Sequence, residues 1–398
     1  MRVLFITQRL HPNYYDALRA LSRKHALTVL VATGGHDNEK CTGLSVETYR
    51  ASFLSLWVER LMALRGKRKV VYCYRFVSAR YMFTKLRRER PDVIYMRCGH
   101  AFGGNVVAIL ARFLGIRLVF FSQAILDPEK KYDHDTIYIN YLSRKDTDVL
   151  LPNYIPHCID ISNQHPIAAP VSRADAPLRL IAVGKPIERK GGFLLIEAIS
   201  LLRRRKLYVS ADVYCGYTAQ NADKYLTALQ EKICQLGLEE LVRLMPLIPP
   251  EAMPGIYAKY DLFVHPGWVR SNLDPHDVVT FRMNGKSGTS LYSLLEAMRA
   301  GLPVLTSSDM RIVGAIEHAK NGLVFQKGNV SDLADKIACL ASMDLAALGR
   351  YSRFLVETYY NAALFPKKFE NMLDWAKQMH SLGLGSFCSG SKRECVTL

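Results

Sequence analysis

The sequence predicts an α/β chain of two tandem doubly wound, Rossmann-like domains facing a cleft. Three observations carry this expectation. The 398 residues are too many for one core and suit two domains of ordinary size. Short apolar runs alternate with helical periodicity along both halves, the pattern of buried parallel strands joined by helices. Between the halves, HPIAAPVSRADAP (165–177) is rich in Pro and Ala and has no apolar period, as a linker should be.

In the first domain (1–164), strand runs are VLFIT (3–7), LTVLVA (27–32), DVIYM (92–96), RLVFF (117–121) and DVLLP (148–152). Helical stretches such as NYYDALRALSRKH and VVAILARFLG lie between them. In the second domain (178–362), the strand series is 178–183, 208–214, 241–245, 261–265, 303–307 and 322–325. Ligands of such sheets sit beyond the carboxyl ends of the strands. The helical stretch FPKKFENMLDWAKQM, within 363–380, is expected to return to the first domain, and the tail 381–398 to be mobile.

Composition removes several classes. With 49% hydrophobic and 22% charged residues the chain is globular rather than disordered. No apolar run reaches the roughly 18 residues of a membrane-spanning helix. MRVLFIT enters a strand pattern directly and lacks the apolar stretch and cleavage site of a signal peptide, so the expected location is the cytoplasm. The nine cysteines are scattered without a C-x-x-C pair, which argues for reduced thiols rather than a metal or disulfide framework.

The net charge of +17 is more informative. Residues 60–90 hold eleven Lys/Arg, one acid (Glu89) and interleaved aromatics, among them Tyr72, Tyr74, Phe76, Tyr81 and Phe83. A solvated basic helix face, a nucleic-acid patch and an anionic membrane surface all fit this stretch. No recognisable nucleic-acid module accompanies it, so no nucleic-acid partner is expected. Arg65, Lys67, Arg68 and Lys69 are the candidate residues for a membrane surface or a membrane-borne acceptor.

The chemistry gathers in the second half. The strand LRLIAV runs into GKPIERKGG, where Gly184 permits a tight turn, Lys185 and Lys190 bracket it, and a helix follows. Helix starts carry partial positive charge and unpaired N–H groups, which suit a phosphate. KSGTSLYSLLEAMRAG repeats the logic with Lys286, Ser287, Gly288, Thr289, Ser290 and Leu291 at a helix start and Glu296 farther in. The GKS at 285–287 is not a P-loop, because that motif needs glycine where Thr280 stands. DHD (133–135) and DTD (146–148) lack further ligand spacing, and no metal is expected. Two anion-friendly helix starts in one domain point to a diphosphate, and the carboxylate to a sugar attached to it.

The ordered set VGKPIERKGGFLLIEAI, LGLEELVRLMPLIPPEAMPGIYAKYDLFVHPGW, GTSLYSLLEAMRAGLPVLTS and NGLVF, over about 178–340, resembles the nucleotide-sugar-binding half of the retaining GT-B glycosyltransferases of family 4. MRVLFITQRLHP, RPDVIYMR and LLPN in the first half resemble the family more loosely. The resemblance implies a metal-independent, cofactor-free enzyme that uses a nucleotide-diphosphate sugar as donor. It implies a glycan or lipid-linked acceptor in polysaccharide or glycolipid assembly, and a location peripheral to the inner membrane face. Lys185 and Lys190 would neutralise the donor diphosphate, and Glu296 would match the second glutamate of E-x7-E at the ribose. Amides around Thr289–Leu291 would hold the distal phosphate. Met245 and Leu247 would flank the base, with Gly184 and Lys286 to Ser290 completing the donor set.

Four departures stand out, one being that TQRLHPNYYDAL lacks the family's N-terminal Gly-Gly turn. Gly288 occupies the place of the first glutamate, which in the family touches the transferred sugar. Ser122 and Gln123 follow the strand where a histidine is usual, which leaves His100 as the nearest histidine; these three are the catalytic candidates of the first domain. Residues 268–285 look inserted, with Asp274 and Asp277 as possible carboxylate substitutes. A glycosyltransferase-like chain that binds nucleotide sugar or a partner without catalysis is the alternative.

Overall fold

A computed structural model describes residues 1–7, 10, 14–32, 43–49, 52, 53, 57, 60, 77–97, 102–122, 136–140, 158–162, 177–215, 222–246, 248–249, 252–267, 292–308 and 315–381. They divide into two units: those within Met1–His157 and Ala362–Leu398, and those within Cys158–Met283 and Ser287–Asn361. The change of unit at Cys158 precedes the Pro/Ala-rich stretch, of which 165–176 lie outside the described residues.

The first unit runs β1 (Arg2–Thr7), α1 (Tyr15–Lys24), β2 (Ala26–Ala32), β3 (Ser45–Tyr49), α2 (Ala79–Glu89), β4 (Val93–Arg97), α3 (Phe102–Phe113), β5 (Arg117–Ser122) and β6 (Thr136–Asn140). All pairings are parallel, in the order β3-β2-β1-β4-β5-β6. The described sheet thus holds two strands that the apolar pattern did not indicate, SVETY and TIYIN, while 148–152 lies outside the described residues. SVETY is an edge strand whose residues are mostly exposed, so it lacks the apolar run of a central strand.

Lys85 is a basic residue of 60–90 that does not belong to a solvated face. It is 3% exposed and held by Glu47 at 2.6 Å and Glu89 at 2.7 Å. Burial opposes its charge, but the two carboxylates outweigh burial and raise the ammonium above its ordinary range. It ties α2 to β3. By contrast Arg80, Tyr81, Arg87 and Arg88 of α2 are exposed.

The C-terminal helix α10 (Phe365–Ser381) belongs to this first unit. Tyr95 of β4 meets Phe369 edge-on at 5.3 Å and Phe5 of β1 at 5.1 Å, and Lys24 pairs with Glu370 at 2.6 Å. Buried aromatic rings, rather than the surface ion pair, carry the energy of that docking.

The second unit runs β7 (Leu178–Val183), α4 (Gly192–Arg204), β8 (Val209–Tyr214), α5 (Ala222–Gln235), β9 (Val242–Met245), α6 (Met253–Tyr257) and β10 (Leu262–His265). Then follow α7 (Tyr292–Arg299), β11 (Val304–Ser307), β12 (Gly322–Phe325), α8 (Val330–Ala341) and α9 (Leu345–Leu355). Its parallel order is β12-β11-β10-β7-β8-β9, the same doubly wound order as in the first unit. The strand order reverses between β7 and β10, and such switch points open the crevice in which these sheets bind ligands. Arg179 fixes this pair of strands with a bidentate grip on Asp261, at 2.7 and 2.9 Å. One face of the sheet packs on α4, α5 and α8 through Leu195, Ile199, Leu229 and Ile337. The other packs on α6 and α7 through Tyr257, Leu294, Leu295 and Met298.

Among the described residues no helix is long and apolar enough to cross a membrane.

Candidate functional site

The carboxyl edge of β7 and β10 is built first by glycines. At Gly184 the chain leaves β7, with its N–H bonded to the Tyr214 carbonyl at 3.0 Å. A Cβ placed on Gly184 would stand 3.2 Å from Cδ of Lys190, so the lysine stem lies directly across the turn. Gly191 has φ +75°, and a Cβ there would fall 2.3 Å from the carbonyl oxygen of Pro266. The turn after β7 is thereby pressed onto the segment that leaves β10, as only glycine permits. It ends at the first turn of α4, whose leading N–H groups have no partners within the helix.

Lys190 is half-buried at this place and Lys185 is exposed. Both line one small cavity, part of it open to solvent, which also reaches Cys215, Tyr225 and His265. Burial pushes the Cys215 thiol up to about 11, so it is not a thiolate near neutral pH. His265 ends β10 and is 2% exposed. Burial first, and the Lys190 charge second, hold its imidazole down to about 3, which leaves it neutral.

Glu296 lies in α7, on the opposite face of the same sheet from α4. In a right-handed crossover, α7 enters from the carboxyl edge, as α4 does. The carboxylate is half-buried and accepts a hydrogen bond from the hydroxyl of buried Tyr257 at 3.1 Å. Burial, then the Glu296 charge, raises the Tyr257 phenol well above its ordinary value, so it stays a donor. The beginning of the β10–α7 connection is tied down by the Ser307 hydroxyl, which donates to the Gly267 carbonyl.

Thus Gly184, Lys185 and Lys190 share one cavity at the switch point, and Glu296 is held by Tyr257. Met245 ends β9 at the same edge of the sheet, half-buried. Ser122 is the last residue of β5. His100, Gln123, Leu247, Lys286, Ser287, Gly288, Thr289, Ser290 and Leu291 lie outside the described residues. So do Arg65, Lys67, Arg68 and Lys69, the aspartates Asp274 and Asp277, and both DHD and DTD. Two residues of the site carried no motif. Tyr257 reads as one more apolar position of a short helix. His265 had a faint signal, a histidine closing a buried strand just before Pro-Gly.

Residues 177–343 match the family model described as glycosyl transferases group 1. The amylovoran biosynthesis glycosyltransferase AmsK of Erwinia amylovora is 26% identical over 200 residues, 50% of this chain and 45% of that protein. The putative colanic acid biosynthesis glycosyltransferase WcaL of Escherichia coli is 23% identical over 207 residues, 51% of this chain and 47% of that one. The chain spans about half the length of the curated relatives it matches. Among solved structures, Anabaena HepE in complex with UDP and glucose has a TM-score of 0.65 at 16% identity, over 94% of this chain and 99% of that one. Sucrose-phosphate synthase from Thermosynechococcus elongatus has a TM-score of 0.63 at 13% identity, over 96% and 99%. These likenesses are of fold: the two parallel-sheet α/β units have the GT-B fold of those neighbours.

Proposed function

We propose that this chain, with a GT-B fold and a glycosyl transferases group 1 domain, moves a sugar from a nucleoside-diphosphate donor to a glycan or lipid-linked acceptor, with retention of configuration. Assembly of a cell-surface polysaccharide or glycolipid is the setting that the named relatives suggest. One observation carries the reading: two lysines and the α4 start share a cavity at the switch point of the second sheet. When the bond between sugar and diphosphate breaks, negative charge grows on the leaving phosphate. Fixed positive groups in a partly dry cavity stabilise that charge more than the ground state, which is how they accelerate the step. Lys185, Lys190 and the helix starts take this part in place of a metal ion. Glu296, its second oxygen steadied by Tyr257, accepts hydrogen bonds from the ribose hydroxyls.

A thermal-shift screen of UDP, GDP and ADP and their sugars tests the reading. Ligand at about 100 times its dissociation constant adds about 2.7 kcal/mol to the unit that binds it. No shift with any of them would dispose of the donor site. Glu296→Gln is expected to lower affinity for the responding diphosphate by about tenfold, since hydrogen bonds to a charged group contribute about 1.5–3 kcal/mol. The Gln carbonyl still accepts from Tyr257, so the unliganded protein should melt as the wild type does. Unchanged affinity would remove Glu296 from the ribose.

Gly288 and the Ser122-Gln123 pair favour a second reading, a nucleotide-sugar-binding chain without transfer. Release of free sugar or transfer by the purified chain, at a rate that depends on Lys190, excludes it.

The reading also places the first unit against the inner face of the membrane, where a lipid-linked acceptor would wait. Exposed Ile109 and Phe113 of α3 accompany the exposed arginines of α2, with Phe83 and Phe113 in ring contact at 6.3 Å. Apolar anchors amid positive charge suit an anionic lipid surface, each cation near it contributing about 1 kcal/mol. Co-sedimentation with anionic vesicles, lost when Arg65, Lys67, Arg68 and Lys69 are neutralised, is the expected result. Equal recovery on neutral vesicles would count against it.

A further inference from the structure

His265 is buried to 2% exposure, and neither Nδ1 nor Nε2 has a hydrogen-bond partner among the described residues. A neutral imidazole carries one N–H donor and one acceptor, and burying both unpaired is unfavourable unless something else meets them. Beside it in register on β11 stands Thr306, 0% exposed, whose Oγ1 likewise has no partner among the described residues. Registered neighbours of a parallel pair present their side chains to one face. The face here is that of Phe263 and α7. Two adjacent polar groups without partners among the described residues, at the carboxyl edge of a sheet and one of them on a strand that flanks its switch point, differ from a satisfied core histidine.

The surroundings say which chemistry would meet them. His265 ends its strand beside the cavity that holds Lys190 and the first turn of α4, and its ring, on the α7 side of the carboxyl edge, lies near enough to feel the lysine charge. Gly191, pressed on Pro266, keeps that turn against the residue next to His265. The carboxyl edge therefore carries a cation on its α4 side and a neutral donor on its α7 side. An anion drawn in by Lys190 would find a hydrogen bond from the imidazole without a second buried charge to desolvate.

We propose that His265 is a donor-site residue, whose ring N–H donates to the diphosphate of the nucleotide sugar, with Thr306 beside it on the same polar floor. This rests on the donor-site reading above. Because the imidazole is neutral in the unliganded protein, the contact needs no protonation at neutral pH. A bound diphosphate would supply the acceptor that none of the described residues offers His265, while uridine alone would leave it unmet.

The test measures binding of UDP and of uridine to the full chain and to His265→Leu, His265→Asn and His265→Gln, with GDP and ADP run in parallel. The folded state of each variant is checked by its unliganded melting. Leu is expected to weaken UDP about tenfold, in line with the loss of one hydrogen bond to a charged acceptor. Uridine should bind as before, and Asn or Gln, which keep an N–H, should recover most of the loss. UDP affinity unchanged in the Leu variant would overturn the proposal, and the polar floor would then hold only water. Parallel loss of UDP and uridine, or Asn and Gln both as weak as Leu, would overturn it too by making His265 a packing residue. If the wild type binds none of the three diphosphates, the donor site itself falls. If it binds one and the Leu variant matches it, His265 alone falls.

Discussion

Lys190→Ala should lower the rate of donor turnover by about 10²–10³-fold, the effect typical of removing one fixed group that stabilises developing charge. The size follows from position. Lys190 is half-buried, its stem lies across Gly184, and its charge reaches buried His265, so it acts in a medium that screens poorly. Lys185 is exposed, and water shields it, so Lys185→Ala should cost less. The loss should fall mainly on kcat, because the charge in question grows as the diphosphate leaves. Steady-state kinetics of both variants, measured as free sugar released or product formed, provide the comparison. Wild-type turnover in both variants would mean that neither lysine stabilises the leaving diphosphate.

Gly191→Ala should destabilise the second unit by about 2–5 kcal/mol, the sum of a left-handed backbone penalty and of overpacking. The new methyl would fall 2.3 Å from the Pro266 carbonyl oxygen, and a backbone atom cannot swing aside as a side-chain tip can. Any relief must move the turn that carries Lys190, so nucleotide affinity should fall along with stability. Gly255→Ala is the control. That glycine sits in α6 with nothing within 4 Å of its added methyl, and alanine there should be neutral or stabilising by up to about 1 kcal/mol. Urea unfolding curves of the three proteins decide the matter. Equal midpoints for wild type and Gly191→Ala would mean that the turn after β7 is not held as described.

The alternation of buried strands and helices was legible in the sequence because parallel strands covered on both faces must be apolar throughout. Hence β7 to β12 fall within a residue or two of their apolar runs. SVETY was not legible, because an edge strand needs no apolar run. TIYIN did carry β-branched residues, yet it stands between polar segments without an apolar run. The turn with Lys185 and Lys190, and the helix with Glu296, could be picked out because glycines and charges at fixed offsets from a strand or helix are local facts. Their order along the chain also suffices to put both helix starts at one edge of a doubly wound sheet.

What the tertiary structure alone decided is non-local. Lys85 counts as one more cation in the sequence, but Glu47, thirty-eight residues away, turns it inward. Tyr257 reads as a core aromatic until Glu296, thirty-nine residues on, accepts its hydrogen bond. His265 and Thr306, forty-one residues apart, become neighbours only when β10 and β11 pair. The physical reason is the same for each. Periodicity and motif spacing report which side of an element is buried and what chemistry it carries. Whether a buried polar atom has a partner depends on another part of the chain, and that is settled only when the sheet closes.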